Sequence, residues 1–176
     1  MCDSGPSSLS RVAPLKRKGD LAELKVATDL IDRGCQISIP FSEDCDYDLV
    51  ADKAGTLHRV QVKYTESDGK TIIVRCRSHS LTKGKVRQTK HYTAQTIDWI
   101  AVYDRTSDRC YYCPASELGT GRSDLSLRLT PTLNGQRVGI RPAFDYLDPN
   151  LDCDSTMEPA GLEPATSCLQ STRSSN

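Results

Sequence analysis

The chain has 176 residues, 37% of them apolar, and its 23 Lys and Arg balance 23 Asp and Glu. That length suits one domain with loose ends around one real core. A net charge of zero excludes a whole-molecule field that would draw in a polyanion, so any nucleic-acid partner has to be argued from local charge.

Residues 1–15 are small and polar with two prolines, and read as a flexible arm. No apolar stretch follows Met1-Cys2-Asp3-Ser4-Gly5-Pro6, and no run of about 18 apolar residues occurs anywhere. The expectation is a cytoplasmic protein with no membrane partner, whose eight cysteines are reduced.

From Lys16 to Gly34 the spacing predicts a helix. Leu21, Leu24 and Ile31 fall on one side, Val26, Ala27 and Leu30 widen the stripe, and Lys18, Lys25, Asp29 and Asp32 fall opposite. Gly34 is the expected C-terminal stop. Short β-like runs follow at 36–40, 47–51, 59–64 and 71–77, the last after the turn signal Ser67-Asp68-Gly69. Ile97 to Tyr103 is a more buried strand that should pair with Arg109 to Cys113. Pro114 opens a short helical turn to Leu118, and 125–129 and 138–141 are smaller late strands. Cys110 and Cys113 form the one CxxC. Three apart in a strand they face opposite ways, and with no second ligand pair a zinc site is not expected.

These elements define an α/β (α+β) domain over residues 16–150. The tail, 151–176, is rich in Ser, Thr, Pro and Ala without period, and is expected to be disordered. Its Gly161-Leu162-Glu163-Pro164 is what the complement of a tRNA T-arm encodes in one frame. Two readings stand: read-through into an adjacent antisense tRNA gene, or an ordinary polar tail.

The chemistry-bearing residues lie near a hairpin. Gln61-Val62-Lys63 begins thirteen residues after Asp48, with a turn around 52–55 between them. An acid on one strand then faces an oxygen ligand and a cation on the next, because residues 61 and 63 share a face with Arg59. This set suits phosphodiester hydrolysis. Mg²⁺ takes a few oxygen ligands and keeps its waters, and it lowers the pKa of a bound water. Lys63 would orient that water and stabilise charge on the phosphate. An exposed hairpin face carrying the same residue types is the competing reading. Glu23 falls inside the apolar stripe, where an acid needs a partner or a task. It is either a metal ligand with Asp48 or, three residues after Asp20, part of a capping box. Asp46 shares a face with Asp48 and is expected to be an exposed strand-start acid.

Gly19-Asp20-Leu21-Ala22-Glu23, Asp46-Tyr47-Asp48-Leu49-Val50 and Gln61-Val62-Lys63, in that order and spacing, resemble the PD-(D/E)XK nucleases. The branch of group I intron homing endonucleases is the nearest in look, and the Holliday-junction resolvases are more distant. Lys90-His91-Tyr92-Thr93, the run 97–103, Tyr111 to Pro114 and Ile140 to Tyr146 also look like that branch. The resemblance covers roughly residues 16 to 147. It implies a restriction-endonuclease-like core, a mixed central sheet flanked by helices, with Glu23, Asp48, Gln61 and Lys63 as the site. Of these, Glu23, Asp48 and Gln61 would hold Mg²⁺, with Mn²⁺ able to substitute. It further implies DNA as the substrate, 5′-phosphate and 3′-hydroxyl products, and a homodimer or homotetramer, since one site cuts one strand. This chain departs from the wider pattern in having Gln61 for the acid and no proline directly before Asp48, which removes one negative charge from the metal site.

From Lys70 to Thr96 there are seven basic residues, Lys70, Arg75, Arg77, Lys83, Lys85, Arg87 and Lys90, and no Asp or Glu. In a neutral chain that asymmetry beside a nuclease-like site points to phosphate contacts. The resulting expectation is a Mg²⁺-dependent endodeoxyribonuclease of a mobile element. A junction-resolving repair nuclease and a non-catalytic DNA-binding module on a decayed nuclease fold are the alternatives.

Overall fold

A computed structural model describes residues 14–42, 44–82, 85–132 and 138–151. The expected N-terminal arm, up to residue 13, and the tail beyond Leu151 lie outside them.

Helix α1 runs Pro14–Asp32. Pro14 suits a first position because its missing N–H costs nothing there. The helix stops at Gly34, whose φ of 82° an L side chain would resist. The amide of Gly34 donates to Ile31 O (2.8 Å) and that of Cys35 to Leu30 O (3.0 Å), the paired bonds of a Schellman stop. The helix buries Ala22, Val26 and Leu30, each at 1% exposure or less. This shifts the expected face. Leu24 and Ile31, predicted at the centre of the apolar stripe, are 68% and 56% exposed, and Leu21 is also on the outside. Apolar residues cover so much of this helix that the sheet, and not the helix, selects the side it buries. The helix also starts six residues before Asp20, so the Asp20–Glu23 capping box does not form.

The helix packs on a five-stranded sheet of order β1-β2-β3-β7-β8. Its strands are β1 (Gln36–Ser38), β2 (Leu49–Lys53), β3 (Thr56–Thr65), β7 (Trp99–Asp104) and β8 (Arg109–Pro114). β2 and β3 form the expected hairpin, closed by Ala54 (φ 51°) and Gly55 (φ 87°), a left-handed pair that matches strand twist. β7 and β8 form the second expected hairpin. The two are joined by a parallel pairing of β3 with β7, from Val60 opposite Trp99 to Thr65 opposite Asp104.

Strand alternation sends side chains into two cores. On the helix side Leu49, Val60, Val62, Ala101, Tyr103, Cys110 and Tyr112 meet Ala22, Val26 and Leu30. On the other side Ile100, Val102, Tyr111 and Cys113 meet Ile72, Val74, Leu125 and Leu127. Cys110 and Cys113 therefore point into opposite cores. The second face is covered not by a helix but by a two-stranded sheet of β4 (Thr71–Arg75) with β9 (Asp124–Arg128). Two 3-10 turns help, Ala115–Leu118 after Pro114 as expected and Ala143–Tyr146. β5 (Arg77–Thr82) and β6 (Lys85–His91) form a separate ribbon, in a stretch after residue 77 where no strand was expected. The expected strand at 138–141 does not form. Gly139 turns at φ 75°, Val138 is 88% exposed, and only a single bridge at Pro142 touches Arg128. No helix among the described residues is long and apolar enough to cross a membrane.

Candidate active site

The antiparallel β2–β3 register places Leu49 opposite Val60, so the residue before Leu49 comes opposite the residue after Val60: Asp48 meets Gln61. The Asp48 amide donates to Val60 O at 3.0 Å, continuing the ladder one residue past the strand. Asp48 Oδ2 accepts the Val62 N–H at 2.7 Å and a short hydrogen bond from Gln61 Nε2. Gln61 is 6% exposed, and its amide also reaches Val62 O. Both contacts to Asp48 fall on Oδ2, which leaves Oδ1 as its open acceptor among the described residues.

Lys63, two residues on and half-buried, lies on the same side. Its Nζ donates to Tyr92 Oη at 3.1 Å and stands 4.9 Å from the centre of that ring. Glu23 enters from α1, half-buried beside the Ala22–Val26 seam. Burial pushes its carboxyl up, and the charges of Asp48 and Asp20 push it further. Asp48 is also raised by burial, against the pull of the Val62 N–H, Lys63 and Gln61. Two carboxyls are thus raised by burial, and Glu23 also feels the charge of Asp48.

All four predicted residues converge, though not equally: Asp48 and Gln61 touch, Lys63 shares their face, and Glu23 reaches Asp48 through charge. Asp46, expected to be a free strand-start acid, instead binds Lys90 Nζ in an ion pair. Arg59, on the Gln61–Lys63 face, is engaged bidentately by Asp98 at 2.9 and 3.1 Å.

The basic stretch borders this site. Lys63, Arg75, Arg77 and His79 help line a groove of about 680 Å³, together with Asp124 and Ser126, the β9 neighbours of Arg75 and Ile73. Arg75 is exposed, Lys70 is exposed on the adjoining turn, and Arg77 stands 3.8 Å from Asp124. Lys90 is committed to Asp46. Lys83 and the side chains of Lys85 and Arg87 lie outside the described residues.

Tyr92 entered the sequence reading only within the run Lys90-His91-Tyr92-Thr93, with no role assigned, because its contact with Lys63 crosses the fold. It follows β6, and its backbone N–H donates to Cys76 O between β4 and β5. Asp104 was missed for the same reason. Fully buried at the end of β7, it accepts from the amide and hydroxyl of Ser67 (both 2.8 Å) and of Ser107 (3.1 and 2.8 Å).

The donor set, two carboxylates and an amide oxygen with a lysine alongside, suits a hard divalent cation with a light ligand count. It would also relieve the crowding of Glu23 and Asp48. Among the described residues no three His, Cys, Asp or Glu side chains gather into a metal cluster, in keeping with Gln61 standing where a third acid would be.

A five-stranded mixed sheet with an Asp and a Gln-x-Lys pair on adjoining strands, and a helix acid beside them, defines a nuclease core. A family model for PD-(D/E)XK endonucleases matches residues 14–148, and the chain belongs to that family of nucleases. Among solved structures it is similar to the bacterial homing endonuclease I-Ssp6803I. The TM-score is 0.60 and the identity 24%, over 76% of this chain and 88% of that one, a likeness that speaks for the fold. No curated protein matches the chain.

Because Glu23 is raised, its ionised form costs the folded state stability above the unfolded pKa, and that cost disappears as pH falls through the folded value. Glu23→Gln should therefore raise the melting temperature at pH 7 and narrow the difference between pH 7 and pH 5. A drop in melting temperature at pH 7 would show that Glu23 is stabilising instead.

Proposed function

We propose that this nuclease is a metal-dependent DNA endonuclease of a mobile element, acting in the manner of a homing endonuclease. The carrying observation is the juxtaposition of Asp48, Gln61 and Lys63 on one face, with the Glu23 carboxyl raised by burial and by the charge of Asp48. Glu23, Asp48 Oδ1 and the Gln61 amide oxygen would hold Mg²⁺ or Mn²⁺. Such an ion, when bound, supplies Lewis-acid stabilisation of the phosphate and an acidified water.

The chain's own residues have separable tasks. The Val62 N–H fixes the Asp48 carboxylate so that it cannot rotate away. Lys63 presents an ammonium to the charge that grows on the phosphate, where a preorganised cation contributes most. Arg75 and Arg77, in the groove that runs to Lys63, neutralise flanking phosphates. Cutting both strands of a duplex requires two such sites, so the active form is a homodimer or homotetramer. The mobile-element role is supported by the fold shared with a homing endonuclease, at 24% identity.

The test is incubation of the purified protein with supercoiled plasmid and with a four-way junction, in Mg²⁺, Mn²⁺ or EDTA. Nicking or linearisation confined to the metal-containing reactions is expected. Preference for the junction would move the reading to a resolvase, and binding without cutting in any metal would reduce the chain to a binding module. Binding measured in EDTA should weaken steeply with salt, and Arg75→Ala should lower the log–log slope by about 1.

A further inference from the structure

Lysine is a poor choice for precise placement of charge, because its four-carbon stem is flexible and its ammonium donates in three directions. In this site the ammonium of Lys63 is not free. We propose that Tyr92 is a positioning residue for Lys63: its hydroxyl accepts a hydrogen bond from the ammonium, so that the remaining N–H donors point toward the phosphate. This rests on the assignment of Lys63 made above.

Three observations carry it. The Tyr92 hydroxyl accepts from Lys63 Nζ at 3.1 Å, and the same Nζ is 4.9 Å from the ring centre, at the hydroxyl end of the ring, so the contact is a directed hydrogen bond. Tyr92 is 4% exposed and packs in the core with Ile72, Val74 and Ile97, so the acceptor is rigid. Its backbone N–H donates to Cys76 O at 3.1 Å, which fixes the ring's origin at the junction of β4, β5 and β6. Asp48 acts on Lys63 through charge alone, and Lys63 makes no carboxylate ion pair among the described residues. The tyrosine is therefore the one hydrogen-bonding restraint on this ammonium among the described residues. A neutral acceptor also holds the lysine without quenching its charge, which a carboxylate partner would do.

Tyr92→Phe keeps the ring and the core and removes the acceptor. Plasmid nicking should slow by roughly 10- to 100-fold, the range that loss of fixed geometry produces at a reacting centre. DNA affinity in EDTA and the melting temperature should stay near wild type. In a Lys63→Ala background the same change should add nothing, because the group it positions is gone. The ¹⁵N relaxation of the Lys63 ammonium supplies a readout independent of cleavage: ordered in the wild type, mobile in Tyr92→Phe. A Tyr92→Phe protein that nicks within twofold of wild type, a loss that multiplies with Lys63→Ala, or an ammonium equally mobile in both proteins would overturn the proposal. If Lys63→Ala itself nicks like wild type, it is the assignment of Lys63 that fails, and the relaxation measurement still decides whether Tyr92 orders it.

Discussion

Asp48→Ala should abolish metal-dependent cleavage, by at least about 100-fold, while leaving salt-dependent DNA binding in EDTA intact. Asp48 is hydrogen-bonded to Gln61 through its amide, and the charge of Lys63 also bears on it. Without it the Gln61 amide loses its partner and the Val62 N–H its acceptor. Stability responds to two opposed effects. The lost hydrogen bonds cost about 1–3 kcal/mol, while relief of the crowding with Glu23 offsets part of that. Asp48→Asn separates them, because an amide oxygen still accepts from Val62 without carrying charge. Its fold should be as stable as wild type or more so at pH 7, with cleavage still lost. Stabilisation by Mg²⁺, seen as a rise in melting temperature with ion concentration, should vanish in both variants. Retention of cleavage by Asp48→Ala would remove the proposed site altogether.

Asp104→Ala should unfold the domain more readily than any active-site change, by about 3–5 kcal/mol in urea. Asp104 is fully buried and gathers donors from Ser67, Thr106 and Ser107, tying the β3–β4 connection to the β7–β8 turn. Truncation strips the half-buried Ser67 and Ser107 donors of their acceptor and opens a cavity where the carboxylate sat. Burial alone would raise this carboxyl, but the Ser67 and Ser107 donors hold it below the usual range. A depressed folded value contributes stability that is present above the unfolded pKa and is lost as pH falls through the folded one. Asp104→Ala should therefore flatten the acid side of the stability profile as well as lower its plateau. A variant as stable as wild type at pH 7 and as acid-labile would mean the two connections are held by other contacts.

The site was legible because its parts are local. Strand period two puts Gln61 and Lys63 on one face, and thirteen residues with a turn put Asp48 opposite them, so one hairpin determines three of the four positions. Glu23 was legible only as an anomaly, an acid in an apolar stripe. The start of the helix at Pro14 removed one of its two explanations, the capping box. The helix's C-terminal stop, the Pro114 turn and the β7–β8 hairpin were equally local and equally readable.

What tertiary structure alone decided involves residues distant in the chain. Apolar positions on α1 wrap too far round to name a buried face, and the sheet chose Ala22, Val26 and Leu30 over Leu24 and Ile31. The parallel joining of β3 to β7 has no signature in either strand, because continuous apolar runs fit several registers. Tyr92 meets Lys63 across 29 positions, Asp46 meets Lys90 across 44, and Asp104 reaches back 37 to Ser67. Sequence period describes neighbours on one element. Contacts that close a loop are set by which cores can be filled together, and here that filling set the Tyr92 hydroxyl against Lys63 of the Gln-x-Lys hairpin.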